Sequence, residues 1–441
     1  MKRLRLATAC AAVIAALILT GRASRAQADL PTAKAETVGM SSKRLERINA
    51  FIKGYIDRSE IAGAVTLVAR KGKVVHFEAQ GFRYKEENAP MQKDTIFSLM
   101  SMTKPIASTA LMMLWEDGRF MLDDPISRWL PSYANKQVID QVTSQRVAAR
   151  PVTVRHILTH TSGLSLTPTV GPNPLTDRPG DAEVEQPPAP TRERPKTVAD
   201  AIERAAASPL AFQPGDRWQY GSSTDFVAVL VEKMSGMTID EFVRTKIFEP
   251  LGMRDTHYNI PREKVGRVAA VYRPDKDGHI TLLRKPEFRE PTTYFPGVAG
   301  LNGTAADYFK FCQMLLNGGE YDGQRLLGRM TVDMMITNQI GMGKPVYIRG
   351  DGYGFGLGFG VLTNPAKSPD ALSIGTFTWG GADGTLFWID PQEDLIGILM
   401  VQLNPYTRSE IRPLFSVVVS QAITDSLSAQ KPRIMGHDSP R

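Results

Sequence analysis

The sequence predicts an α+β fold: an antiparallel sheet flanked by helices, with a mostly helical region inserted between the two halves of the sheet. Three observations predict it. Strand-like runs lie near both ends of the chain, helix-periodic segments fill the middle, and a tight Lys71-Gly72 turn joins the first two strands as a hairpin.

Each element has a local reason. Leu45, Ile48, Ile52 and Tyr55 recur at helical spacing, predicting an amphipathic helix over 45–56. The apolar runs 64–70 and 73–79 read as the hairpin strands. Residues 97–100 form a short apolar approach to a helix over 105–115, which is apolar on all sides and stopped by Asp117-Gly118. Pro105 suits the first turn of that helix, where its missing N–H is harmless. Helical patterns return at 226–234 and at 305–316, the latter closed by Asn317-Gly318-Gly319. Strands are expected at 354–362, 385–390 and 395–403, then a long helix over 409–427. Residues 300–304 follow no clear strand and read as a turn.

The chain has 441 residues with an ordinary globular composition. Lys2, Arg3 and Arg5 precede an apolar run over 6–19, and Ala26-Gln27-Ala28 has the small residues of a cleavage site. An export leader over 1–28 is expected, with an uncleaved membrane anchor as the alternative, leaving one domain over 29–441 and a periplasmic or secreted protein. No later segment approaches a bilayer span. The formal charge of +7 includes five basic residues in the leader (Lys2, Arg3, Arg5, Arg22, Arg25), which leaves +2 for the rest. A nearly neutral surface argues against a nucleic-acid partner. Beyond the leader the only cysteine is Cys312, set among apolar residues; it reads as a small buried hydrophobe with no disulfide partner. Residues 168–196 are rich in Pro, Gly, Asp and Glu without either regular period and read as a loop, lid or insertion, either the rim of a binding site or a disordered surface insertion.

Three short motifs carry chemistry. Ser101-Met102-Thr103-Lys104 places a hydroxyl and an amine one turn apart on one helix face. Serine is a poor nucleophile until a base takes its proton, and a lysine does this when a dry setting keeps it neutral. Tyr220, followed by Gly221 and Ser222, supplies a phenol suited to relay that proton. Trp379-Gly380-Gly381 supplies a backbone without side chains that could approach the nucleophile and offer N–H groups to an oxyanion. His156 and His160, four apart, have no glutamate between them in zinc-protease fashion and no third ligand; packing or hydrogen-bonding histidines at a helix end are expected, and the reaction needs no metal or cofactor.

In this order and with these wide spacings, Ser101-x-x-Lys104, Tyr220-x-Ser222 and Trp379-Gly380-Gly381 resemble the signatures of the serine β-lactamase-fold superfamily, the class C-like branch that includes the family VIII carboxylesterases. The segments 158–164, 248–253 and 305–308 are similar to that branch as well. The resemblance implies a β-lactamase/transpeptidase-like architecture, Ser101 as nucleophile, Lys104 as its base and Tyr220 as proton relay. It also implies an oxyanion hole from the N–H groups of Ser101 and Ala382, and a substrate pocket at Ser222, Trp379, Gly380 and Gly381. Class C lactamases resemble one another in Tyr-x-Asn and Lys-Thr-Gly; here Ser222 and Trp379 replace the amide and the ammonium. That departure favours neutral, fairly apolar ester substrates over penicillins. The expected partner is a small-molecule ester or amide. The alternatives on this fold are a β-lactamase, a D-amino-acid peptidase, an acyltransferase, or a cell-wall-fragment binder without turnover.

Overall fold

The computed structural model describes residues 30–139, 144–164, 195–341, 343–408 and 410–426. The expected leader and residues 168–194 of the Pro-rich stretch lie outside the described residues.

An eight-stranded, fully antiparallel sheet forms the frame. Three strands come from the early chain: β1 (Gly63–Arg70), β2 (Lys73–Tyr84) and β3 (Ala89–Pro90). Five come from the late chain: β4 (Tyr353–Phe355), β5 (Gly360–Leu362), β6 (Phe377–Gly380), β7 (Leu386–Asp390) and β8 (Leu395–Met400). Their order is β4-β5-β6-β7-β8-β1-β2-β3, so β1 and β8 join the two sequence-distant halves at the centre. Every residue of β1 is buried, which requires cover on both faces. One layer is α1 (Ser42–Asp57) with the C-terminal helix α5 (Ile411–Ser420), which pack on each other and on the sheet. A second helix, α4 (Ala305–Leu316), packs on β1, β7 and β8. In sequence between the two halves of the sheet come α2 (Thr103–Glu116) and α3 (Ser223–Ser235), packed on each other and apolar nearly all round. The expected α+β architecture is therefore present. No helix among the described residues is long and apolar enough to cross a membrane.

Three expectations are corrected. The run expected as one strand over 354–362 is a hairpin, β4 and β5, broken where Gly358 takes φ +97° against α2; a Cβ there would lie 2.4 Å from Ser108 Oγ. The C-terminal helix stops at Ser420, because the following residues turn back and pair with the start of α1: Ser41 N–H donates to Ala422 O at 2.8 Å. Residues 302–303 are not a plain turn but pair antiparallel with Phe97-Ser98, tying the approach to Ser101 to the entrance of α4. The Lys71-Gly72 turn has both residues at positive φ, as a two-residue hairpin requires. Cys312 is free and fully buried on α4.

Candidate active site

Ser101 lies in a single tight turn, Met100–Met102, that runs directly into α2. Met100, the residue before it, takes φ +47°, a left-handed conformation that an unbranched side chain adopts only under constraint. The constraint is visible in the packing. Tyr308 Oη of α4 donates to Met102 O at 3.0 Å, and Leu301 N–H donates to Thr103 Oγ1 at 3.2 Å. Ser101 is half-buried at the end of this pinned turn.

Behind it the site is polar and dry. Lys104 is only 4% exposed. Its Nζ lies 3.0 Å from Ser101 Oγ and donates to Val298 O at 2.9 Å. No carboxylate forms an ion pair with it among the described residues. On the far side of the 297–298 backbone, Asp225 in the first turn of α3 accepts the Val298 N–H at 3.1 Å. Burial pushes the Asp225 carboxyl up to about 6, while backbone N–H groups of Val298 and Gly297 and the Lys104 charge pull it down.

In front lies a wall of rings. Lys104 Nζ sits 4.5 Å from the centre of the Tyr220 ring. Tyr220 Oη accepts the indole N–H of Trp379 at 3.0 Å, and their rings are 5.2 Å apart. Trp218, Phe355 and His160 pack behind this pair, with His160 4.9 Å from Tyr220 and 5.4 Å from Phe355. Tyr347 closes the outer edge, 5.0 Å from Trp218, and its Oη accepts the Tyr220 N–H at 3.2 Å. His160 is at φ +56°, beyond the short helix that carries His156, so the two histidines share no helix face. The His156 Nδ1 accepts the Thr153 N–H at 3.1 Å and caps that helix. Burial first, and the Lys104 charge second, hold the His160 imidazole well below its ordinary pKa, so it is neutral.

The Gly380-Gly381 backbone leads out of β6 into the turn that carries Ala382. A Cβ on Gly381 would lie 2.2 Å from Thr385 Oγ1 and 2.5 Å from Leu99 O, so only glycine allows this strand end to dock on the turn that leads to Ser101. Thr385 Oγ1 donates to Leu99 O at 3.3 Å across the same contact. Arg412 of α5, half-buried behind the glycines, donates to Gly381 O and to Thr385 O. Ala382 itself is exposed, and its N–H meets no protein acceptor among the described residues.

The fold thus gathers Ser101, Lys104, Tyr220, Trp379, Gly380, Gly381 and the turn of Ala382 from α2 and the turn before it, α3's approach and β6–β7 into one cluster. Ser222 stands at the entrance of α3, its carbonyl accepting the Asp225 N–H at 2.9 Å. Trp379 is more than the apolar ring that sequence reasoning assigned: its N–H is a hydrogen-bond donor to Tyr220. Sequence reasoning missed Asp225, Val298, Trp218, Tyr347 and Phe355. A lone acid at the head of an otherwise apolar helix was the available signal for Asp225.

The Beta-lactamase family model matches residues 48–416. Among curated proteins, Protein Rv1367c of Mycobacterium tuberculosis is 32% identical over 377 residues, covering 82% of this chain and 90% of its own length. Esterase EstB of Burkholderia gladioli is 31% identical over 361 residues, covering 78% and 86%. Among solved structures, EstCE1, described as a hydrolase with promiscuous acyltransferase activity, superposes with a TM-score of 0.69 at 24% identity, covering 87% of this chain and 99% of its own. The match over most of the chain, with relatives that act as esterases or acyltransferases, makes this protein a member of the beta-lactamase family of hydrolases and acyltransferases.

Proposed function

We propose that the protein is a serine carboxylesterase that works through an acyl-enzyme on Ser101. The observation that carries this reading is the 3.0 Å approach of Lys104 Nζ to Ser101 Oγ in a site that excludes water from the amine. Lys104 Nζ takes the hydroxyl proton as Ser101 Oγ attacks the ester carbonyl. The oxyanion is received by the N–H groups of Ser101 and Ala382. The tetrahedral adduct collapses, the C–O bond to the alcohol breaks, and the proton on Lys104 reaches the leaving oxygen by way of Tyr220. A water then attacks the acyl carbonyl, gives its proton back through the same pair, and releases the acid and Ser101 Oγ–H.

The ester preference is supported by the wall around Trp379. A buried indole stands where a lactamase-type site would offer an ammonium to a substrate carboxylate, and the surrounding rings favour an apolar acyl group. The name of EstB, an esterase, is consistent with it. The test is direct: Ser101→Ala should reduce hydrolysis of short p-nitrophenyl esters by about 10⁴-fold or more, and a fluorophosphonate should label the parent protein at Ser101 alone. Wild-type rates in the Ala variant, or nitrocefin turned over faster than any ester, would defeat the reading.

A further inference from the structure

We propose that Asp225 is a positioning residue for the catalytic amine: its carboxylate clamps the 297–298 backbone so that the Val298 carbonyl holds Lys104 against Ser101, and its charge stabilises the ammonium that forms there. The inference rests on the acyl-enzyme reading above.

The contacts form an unbroken line. Asp225 Oδ1 accepts the Val298 N–H at 3.1 Å, Val298 O accepts from Lys104 Nζ at 2.9 Å, and Nζ stands 3.0 Å from Ser101 Oγ. One residue, Val298, therefore carries both the group that Asp225 grips and the group that grips Lys104. The grip has no slack. Gly297 lies so close to α3 that a Cβ would fall 2.1 Å from Thr224 O, which fixes the loop against the helix turn that bears Asp225.

The position is otherwise an expensive one for an acid. Asp225 is 4% exposed, flanked by Phe226, Val227 and Ala228, and makes no ion pair among the described residues. An acid in a first helical turn complements the helix dipole, but an exposed one does that as well without desolvation. The groups that act on it are the amine of Lys104 from α2 and the N–H groups of the 297–298 loop, and its charge acts in turn on the phenols Tyr258 and Tyr294. The Lys104 amine also acts on His160, whose imidazole burial first and that charge second keep neutral. A base oriented and charge-balanced by a third group is the general arrangement of activated nucleophiles. Above pH about 6 the carboxylate is ionised, so a negative charge is present when Lys104 accepts the Ser101 proton.

The experiment compares Asp225→Asn and Asp225→Ala with the parent by steady-state kinetics on p-nitrophenyl esters across pH, by fluorophosphonate labelling rate, and by thermal unfolding at pH 8. Asn keeps the shape and one acceptor oxygen but not the charge, so it answers the question even if Ala does not fold. The expected result for Asn is a fall in kcat of about 10- to 100-fold with KM changed less than about threefold. Labelling slows in parallel, and the acid limb of kcat/KM moves about half a pH unit or more to lower pH, because a negative charge no longer favours the ammonium. A folded Asn variant with parental kcat overturns the inference. So does a fall in kcat with the acid limb unmoved, which would leave Asp225 a purely structural role. If the parent itself takes no label at Ser101, the acyl-enzyme reading fails first; if parent and Asn variant label equally fast, the clamp alone fails.

Discussion

The two walls of the pocket are built on opposite principles. The rear wall, Lys104 with Val298 and Asp225, consists of few side chains held by hydrogen bonds of 2.9–3.1 Å to backbone groups. The front wall, Tyr220, Trp379, Trp218, Phe355, His160 and Tyr347, is held by ring packing at 4.9–6.1 Å with two hydrogen bonds threaded through it. Hydrogen bonds fix an atom's position to tenths of an ångström, whereas ring packing fixes a surface. On the proposed acyl-enzyme reading, the rear wall moves the proton and the front wall selects what reaches it. Tyr220 belongs to both: its ring faces Lys104 and its hydroxyl accepts from Trp379.

That double membership gives the largest expected effect. Tyr220→Phe keeps the ring packing and removes only the hydroxyl. If Tyr220 is part of the proton path, kcat on p-nitrophenyl acetate should fall about 100-fold with little change in KM. The same substitution leaves the Trp379 N–H buried without its acceptor, at about 1–3 kcal/mol of stability, so unfolding should be measured beside turnover. A variant with parental kcat would place Tyr220 wholly in the selecting wall and erase the division.

How far these walls were legible in the sequence follows the same division. Side chains in motifs were readable: Ser101, Lys104, Tyr220 and the glycines announce themselves by type and spacing. The 305–316 helix was readable to the residue, because Thr304 accepts the Asp307 N–H at 3.1 Å at one end and two positive-φ glycines follow Asn317 at the other. The clamp was not. Val298 acts through its carbonyl, which every residue type possesses, and Asp225 has the appearance of an ordinary first-turn acid. The ring wall was half-readable: Trp218 and Tyr220 are neighbours, but Phe355 and Tyr347 arrive from over a hundred residues away. The early end of α5 was illegible for a similar reason, since it is set by pairing with residues near 40 and not by any local stop.

The walls also differ in the sign of their pH response. His160, in the front wall, is buried and neutral, so its folded pKa lies below the unfolded value of about 6.5. The unfolded chain then binds the proton better, and the stability this group contributes is present above pH 6.5 and lost as pH falls. His76 and His257, both lowered to about 4 by burial, act in the same direction between 6.5 and 4. Asp225, in the rear wall, is raised to about 6, so its contribution is present below about 3.9 and lost as pH rises through 6. Glu232, Asp240, Asp307 and Asp383 are raised by burial as well and oppose the histidines, so what urea denaturation should read is the histidine share of the slope of stability between pH 7 and 4. His160→Phe should flatten that slope by up to about 1.4 kcal/mol per pH unit, whatever it does to stability at pH 8. An unchanged slope would mean that the front wall admits a charged imidazole.

The smallest expected effect is the sharpest on the comparison, because Tyr347 is the one ring of the front wall that reaches solvent, at 45% exposure. It touches Trp218 by its edge and the Tyr220 backbone by its hydroxyl. If the front wall only selects, Tyr347→Ala should raise KM about three- to tenfold for long or aromatic acyl esters, through lost apolar contact, while kcat on the acetate ester stays within about twofold. If kcat falls equally for every acyl group, the Tyr347 hydroxyl must instead be holding the Tyr220 backbone in register for proton transfer. Selection and chemistry would then share one hydrogen bond, at Tyr220 N–H, and the two walls would be one machine. A Tyr347→Phe variant separates these outcomes, since it keeps the ring and removes only that bond.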